Sequence, residues 1–363
     1  MARTLAGMLA WLIAAGMVVS PLAGAAQDRT GRDVYEAACA ACHGSDGRGV
    51  TPAGSDYPLP RPDFTDCRFA NREPDADWLA VSHAGGPARG FDRLMPAFGD
   101  ALSRAELEAA LGRVRAFCTR PDWPRGELNL ARPLVTEKAF PEDEYVVTLE
   151  AADDAVTSTI VYERRIGPRN QLEVVVPVAL SEREPGDWTG GVGDLAVAFK
   201  RALAHSLRRG SILSASAELV VPTGSTERGI GGGTTVIEPF VTFGQILPAD
   251  SFLHAQVGVG IPFDRKEPDE VFWRAAAGRE FTRGEFGRAW SPMIELLWAR
   301  DLESGARTNW DIVPEMQVTL STRQHIMANA GVRIPLTNRE GRSTQFIAYL
   351  LWDWFDGGFF TGW

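Results

Sequence analysis

Cysteine and histidine are scarce in this chain, with four and five respectively among 363 residues. No second Cys-x-x-Cys and no histidine pair lies near the first such motif, which weakens a zinc-ribbon reading. Beyond the first twenty-five residues no stretch approaches the ~18 consecutive apolar residues of a membrane-spanning helix. Positive charge is in deficit. The 37 Lys and Arg against 47 Asp and Glu leave a net charge of −10, which argues against a nucleic-acid partner. A glycine-rich stretch, Gly229 to Gly233, lacks the Lys-Ser/Thr ending and following helix of a phosphate-binding loop. No nucleophile-base constellation is visible either, so the expectation is a protein that is not an enzyme.

What is present begins with a leader. Arg3 supplies a positive start, Leu9 to Val19 an apolar core and Ala23-Gly24-Ala25 a small-residue cleavage site, so residues 1–26 read as a secretory signal peptide. An uncleaved anchor is the alternative, but the apolar stretch is short and the cleavage pattern follows it. Cys39-Ala40-Ala41-Cys42-His43 then provides two thiols three apart and an adjacent imidazole, the attachment signature of c-type haem. One helical turn lets Cys39 and Cys42 form thioethers while His43 approaches the iron. Thioredoxin-like and metal-ribbon sites also use Cys-x-x-Cys.

A second axial ligand is expected at Met95, within Leu94-Met95-Pro96-Ala97-Phe98-Gly99. Pro96 keeps this segment out of a helix, so a loop can present the thioether, a soft ligand that favours ferrous iron. His83, read as lying by the Gly-rich turn Ala84-Gly85-Gly86-Pro87, is the rival ligand. The candidate set is therefore Cys39, Cys42, His43 and Met95 around one covalent haem c.

Residues 28–118 resemble a class I cytochrome c. Gly31 and Tyr35 precede the haem motif, Asp33 to Ala41 read as its N-terminal helix, and Ser103-Arg104-Ala105-Glu106 forms a capping box. Leu107, Leu111, Val114 and Phe117 recur at helical spacing. The resemblance implies a small all-α domain over 27–120 whose terminal helices cross. Cys67 and Cys118 remain after haem attachment. In an oxidising compartment they suggest a disulfide, with free buried thiols as the alternative.

Pro121, Pro124, Pro133 and Pro141 punctuate a segment, 121–143, that reads as an extended linker or docking strap. From 144 to 363 the pattern is β. Leu172, Val174, Val176, Val178 and Leu180 share one strand face; Trp310, Ile312, Pro314, Met316, Val318 and Leu320 share another. About twelve strands are expected, near 144–150, 156–165, 170–180, 192–203, 211–221, 234–244, 251–261, 271–282, 289–300, 309–320, 325–336 and 343–354. Their length and continuous apolar face fit an antiparallel transmembrane β-barrel better than a soluble sandwich.

Short turns such as Ile166–Arg169 and Ser321–Gln324 alternate with longer loops such as Ser181–Gly191, Pro222–Gly233, Pro262–Glu270 and Asp301–Thr308. Ala204–Gly210 looks long for a turn and Ala152–Ala155 short for an outer loop. Trp273, Trp290, Trp298, Trp310, Trp352, Trp354 and Trp363 suggest interfacial girdles, and the terminal Trp363 is similar to a barrel-insertion signal. The lumen face is assigned to Glu173, Asp194, Lys200, Glu218, Glu238, His254, Arg274, Glu280, Glu295, Glu315 and Arg333, while Arg201, Arg279 and Arg300 fall on the outer face, which implies either snorkelling near strand ends or a slip of register. Fourteen acidic and twelve basic residues lie between 27 and 120, so most of the negative charge belongs to the barrel.

Gly191-Val192-Gly193-Asp194-Leu195 leading to Phe199-Lys200, then Val221-Pro222-Thr223-Gly224, resembles the outer-membrane proteins grouped under a phenol-degradation MetA-pathway name. In architecture alone, the fusion is similar to the cytochrome-porins of iron-oxidising bacteria. Together these features lead to the expectation of a multidomain α plus β protein of the outer membrane. Its haem domain would face the periplasm and exchange electrons with periplasmic carriers, or with an extracellular donor or acceptor reaching it through the lumen. A transport pore with a cytochrome plug or redox sensor is the alternative.

Overall fold

The computed structural model describes residues 29–49, 62–184 and 186–362. The expected signal peptide at 1–26 and the terminal Trp363 lie outside the described residues.

The N-terminal unit is helical. α1 (Gly31–Ala38) starts at Thr30, whose hydroxyl accepts from the Asp33 N–H while Asp33 accepts from the Thr30 N–H. α2 (Ala40–His43) follows after Cys39, so two short helices stand where one is expected. α3 (Cys67–Ala70) and α4 (Asp75–Ala84) come next, and α5 (Arg104–Arg115) opens with the capping box foreseen at Ser103 and Glu106. α1 and α5 meet where a Cβ on Gly31 would stand 2.0 Å from the Ala109 carbonyl oxygen, an approach only glycine permits. Val34, Leu79, Leu102, Leu107 and Ala110 fill one side of this crossing, and Tyr35, Phe64, Leu111 and Val114 the other. The Cys67–Cys118 disulfide ties α3 to the chain beyond α5. His83 departs from expectation: it occupies the last turn of α4, and the chain bends only at Gly85.

The rest is one closed antiparallel barrel. Its segments are β1 (Glu144–Ala151), β2 (Ala155–Ile166), β3 (Asn170–Glu184), β4 (Asp187–Val192), β5 (Leu195–Ser206), β6 (Ser211–Val221), β7 (Val236–Leu247), β8 (Ser251–Pro262), β9 (Glu270–Arg279), β10 (Phe281–Thr282), β11 (Ala289–Asp301), β12 (Asn309–Thr319), β13 (Ile326–Pro335) and β14 (Gln345–Asp353). They make twelve staves. β4 and β5 are successive lengths of one stave against β3, interrupted at Gly193-Asp194, and β10 prolongs β9 beside β11. Pairing of β1 with β14 closes the ring.

Two connections differ from the sequence reading. Ser181–Gly191 is mostly strand, because β3 and β4 run on as a hairpin past the barrel. Ala204–Gly210 is strand in its first part, since β5 reaches Ser206 and leaves a short turn at Leu207–Arg209. The Gly229–Gly233 loop folds back on the barrel rim, where Asp194 accepts from the N–H groups of Gly224 at 2.8 Å and Gly232 at 2.6 Å. A carboxylate thus takes amides that an anion would need.

The outward face is apolar. Tyr145, Val147 and Leu149 on β1, Val197 and Phe199 on β5, Val257 on β8 and Ile294 on β11 are all exposed, and such a belt is unfavourable in water by ~25 cal/mol per Å². Two aromatic groups bracket it. Trp273, Trp298 and Trp310 are register neighbours near the long-loop end. Tyr145, Tyr162, Trp352 and Trp354 stack in sequence near the short-turn end, with centroids 5.0–6.1 Å apart. An apolar belt between aromatic rings is the surface of a barrel that faces hydrocarbon. Arg201, Arg279 and Arg300 are exposed on this outer side. Glu280, expected in the lumen, instead sits in the break between β9 and β10 and is exposed.

The lumen is filled by the chain itself. Part of the segment expected to be a linker or strap enters the barrel from the short-turn end and returns to β1. It has no regular structure there, so its backbone groups need partners from elsewhere. Inward-facing side chains provide them. The N–H of Arg132 donates to Gln317 at 2.9 Å, that of Leu134 to Glu315 at 3.0 Å, and those of Val135 and Thr136 to Glu295 at 2.9 and 2.7 Å. Glu137 N–H donates to Gln256 and Glu142 N–H to Gln171. The Ala131 carbonyl lies 3.0 Å from His254 Nε2, and the Arg132 carbonyl accepts from Tyr349 Oη at 2.7 Å.

Ion pairs add to this. Arg132 Nη1 contacts Glu163 at 2.7 Å and Glu144 at 3.2 Å, and Lys138 Nζ contacts Glu142 at 2.6 Å and Glu144 at 2.8 Å. Glu163, Glu295 and Gln171 are each 0% exposed, so at this level the barrel is packed rather than water-filled.

Candidate haem site and its seat on the barrel

Cys39, at the junction of α1 and α2, and Cys42 and His43, at the end of α2, lie within about one helical turn. Tyr35, fully buried one turn earlier, donates its hydroxyl to the Gly44 carbonyl at 2.7 Å and so fixes the end of this turn. Burial, with the Cys39 thiol beside it, pushes the Tyr35 phenol up to about 12, which keeps that hydroxyl a donor. The His43 imidazole is stacked on Phe64 at 4.9 Å, and Phe64 in turn packs against Trp78 at 5.5 Å. Ring stacking sets the plane of the imidazole. Cys67 and Cys118 are joined to each other, so Cys39 and Cys42 stand outside the disulfide. Cys42 is exposed, and burial holds the Cys39 thiol above its ordinary value.

Met95 lies in the loop between α4 and α5. Its carbonyl accepts from Gly86 N–H at 2.9 Å and its N–H donates to Asp92 O at 3.3 Å. Further along, Phe98 N–H donates to Ser82 O and Gly99 N–H to His83 O, binding the return of the loop to the end of α4. His83 itself is engaged elsewhere, with its ring 5.2 Å from Phe286 of the turn between β10 and β11.

This donor set suits a covalent haem. Two thiols spaced for the vinyl groups and an imidazole held by stacking are what such a haem needs, and the same unit carries a half-buried thioether on a backbone-anchored loop. The order of hardness among these ligands fits iron better than zinc, which would want a further thiolate or imidazole nearby.

The helical unit rests on the short-turn end of the barrel. Arg72 pairs with Asp143 at the end of the luminal segment and lies 4.2 Å over Phe355. Arg89, only 4% exposed, donates to Phe286 O at 2.7 Å and to Asp77 at 2.5 Å. Arg104 reaches Glu285 at 3.0 Å. Nothing in the local sequence announces this seat, because its partners are about 70 to almost 200 residues apart.

Of the expected lumen residues, Glu173, Lys200, His254, Glu295 and Glu315 are buried inside. Glu218 and Glu238 face each other across β6 and β7, and Arg333 pairs with Asp311 at 2.6 Å. Sequence reasoning missed Glu163 and Gln256, whereas Gln171 and Gln317 lie on the strand faces opposite the apolar ones, as the alternation implies.

Known proteins resemble parts of this chain. Residues 26–112 match the family described as cytochrome C oxidase, cbb3-type, subunit III. No curated protein matches the chain. Among solved structures, an outer membrane channel from Pseudomonas putida F1 is similar at 13% identity and TM-score 0.44, over 61% of this chain and 99% of that one. The KdgM porin in complex with disordered oligogalacturonate is similar at 9% identity and TM-score 0.40, over 58% and 98%. The chain therefore joins a cytochrome c-type domain to a closed twelve-strand β-barrel.

Proposed function

We propose that this protein is a monohaem c-type electron carrier of the outer membrane, with its haem domain seated at the periplasmic mouth of its own barrel. The observation that carries the reading is the single turn bearing Cys39, Cys42 and His43, in a domain whose other two cysteines are joined to each other. Haem bound there would supply a one-electron ferric/ferrous couple. Cys39 and Cys42 would hold it covalently, His43 would be the proximal ligand and Met95 the distal one. Phe64 orients the imidazole and Gly86 anchors the Met95 backbone. Ligands fixed this way limit the rearrangement that accompanies a change of oxidation state.

The partners this reading calls for are periplasmic electron carriers, with lipid around the barrel. The packed luminal segment favours a carrier over an open transport pore. Glu163 and Glu295 are sealed beneath it, and a donor or acceptor entering from the long-loop end meets that segment first.

Haem-peroxidase staining of fractionated cells tests the assignment. Covalent haem should appear in the outer-membrane fraction and disappear in the Cys39→Ala/Cys42→Ala variant. Stain confined to soluble periplasm would end the membrane reading, and stain that survives the double variant would end the attachment reading.

A further inference from the structure

The loop that carries Met95 is held partly by the barrel. Between Gly85 and Met95 the chain doubles back, with Phe91 N–H donating to Gly86 O and Gly86 N–H to Met95 O, both at 2.9 Å. The tip of this fold is Gly90-Phe91, and it touches the turn between β12 and β13. Arg323 in that turn donates from Nη2 to the Gly90 carbonyl at 3.0 Å and lies 4.4 Å over the Phe91 ring. Its own N–H donates to Gly362 O at 3.0 Å, so the C-terminal tail braces it. A Cβ on Gly90 would stand 2.7 Å from Gly362 Cα, which shows how closely loop and tail meet. The base of the fold is gripped as well, by the Arg89 and His83 contacts to Phe286.

We infer that Arg323 is a positioning residue for the distal haem ligand: through Gly90 and Phe91 it holds the Met95 loop closed, so the barrel stabilises methionine ligation. This rests on the assignment of Met95 proposed above. A loop that opens must break the Arg323 hydrogen bond and lift Phe91 from the guanidinium. An external ligand that displaces Met95 binds only the opened loop, so its apparent affinity measures how often the loop opens.

The test uses the full-length haem-loaded protein in detergent, with imidazole as the competing ligand for ferric iron. Arg323→Ala should tighten imidazole binding about tenfold, as expected for losing a hydrogen bond to a charged group. Arg323→Lys, which keeps the charge and one donor, should recover much of the wild-type affinity. Exposed Arg68→Ala in α3 should leave it unchanged. Hydrogen exchange at the Gly86 and Phe91 amides should quicken in Arg323→Ala, a readout independent of haem ligation. The barrel's resistance to unfolding in unheated dodecyl sulfate reports whether each variant is folded.

If the wild type lacks the weak red-edge sulfur-to-ferric charge-transfer band, Met95 is not the ligand and both readings fall. If that band is present but Arg323→Ala binds imidazole as the wild type does, the positioning role alone falls. A folded Arg323→Lys that behaves like Arg323→Ala would argue that fork geometry matters more than charge, still through the Gly90 contact. Should Arg323→Ala not fold, unchanged exchange and affinity in Arg323→Lys/Phe91→Ala would overturn the inference.

Discussion

At the scale of single residues, the candidate site was the most legible part of the sequence. Cys39, Cys42 and His43 fall within five residues, so their chemistry follows from local spacing and needs no tertiary contact. Met95 is different. Its role depends on Gly86 and Asp92 holding the loop, and nothing in the spacing announces those bonds. Met95→His should retain covalent haem and lower the reduction potential, because a second imidazole favours ferric iron; an unchanged potential in a redox titration would remove Met95 from the ligand set.

Helix caps make a second residue-level prediction. Thr30→Ala and Ser103→Ala should each cost about 1 kcal/mol in denaturant melts of the haem domain. The cap carboxylates also give this domain a pH dependence. Hydrogen bonds from Ser103, then Arg29, hold the Glu106 carboxyl below its ordinary value, and Thr30 does the same for Asp33. Lowered carboxylates stabilise the fold above their unfolded values and lose that effect as pH falls through the folded ones. Stability of the haem domain should therefore decline on the acid side of pH 4.5, and Glu106→Gln should flatten the decline.

At the scale of elements, the strands were readable because side chains alternate faces with a period of two, and each face meets a different medium. Asn309–Thr319 illustrates this: Asp311, Glu315 and Gln317 turn inward while Ile312 and Met316 face out. Breaks at Gly193-Asp194 and Glu280 were invisible, since they interrupt pairing without interrupting the pattern. The luminal segment 129–143 could not be read either. Proline spacing suggests a linker, and its partners, such as Gln317 for Arg132 and Glu295 for Thr136, lie 159 to 185 residues away.

That segment is open to direct test. Arg132→Met leaves buried Glu163 without its cation and Glu144 with Lys138 alone, and should cost about 3–5 kcal/mol, read as a lower thermal midpoint. In planar bilayers the wild-type barrel should be nearly silent, and the same substitution should produce frequent openings. A wild type with steady conductance would instead favour the transport reading. The Cys67–Cys118 bridge belongs to this scale too, and its removal should destabilise the helical domain by about 2–4 kcal/mol.

At the scale of the whole molecule, the two units are coupled by more than their covalent connection. Arg72 to Asp143, Arg104 to Glu285 and Arg89 to Phe286 join different faces of the helical domain to different parts of the barrel. A protease site inserted after Thr119 should therefore give a cleaved haem domain that still co-migrates with the barrel on size exclusion at low ionic strength. Release on cleavage would show that the seat contributes little. The division into helical and β units was readable from composition, whereas their mutual orientation was not, because it rests on single arginines whose partners lie far along the chain.

The luminal segment also constrains how such a molecule can be assembled. It touches Gln317 of β12 and Tyr349 of β14 on one side of the β1–β14 seam, and Glu144 of β1 and Glu163 of β2 on the other. A folded helical domain is too wide to be threaded through a twelve-strand ring, so the hairpin of chain at 129–143 has to be laid across the curling sheet before its first and last staves meet. Zipping the seam and wrapping the hairpin are then a single step. A chain lacking the Arg132 contacts should reach the dodecyl-sulfate-resistant form more slowly even where its final form is sound.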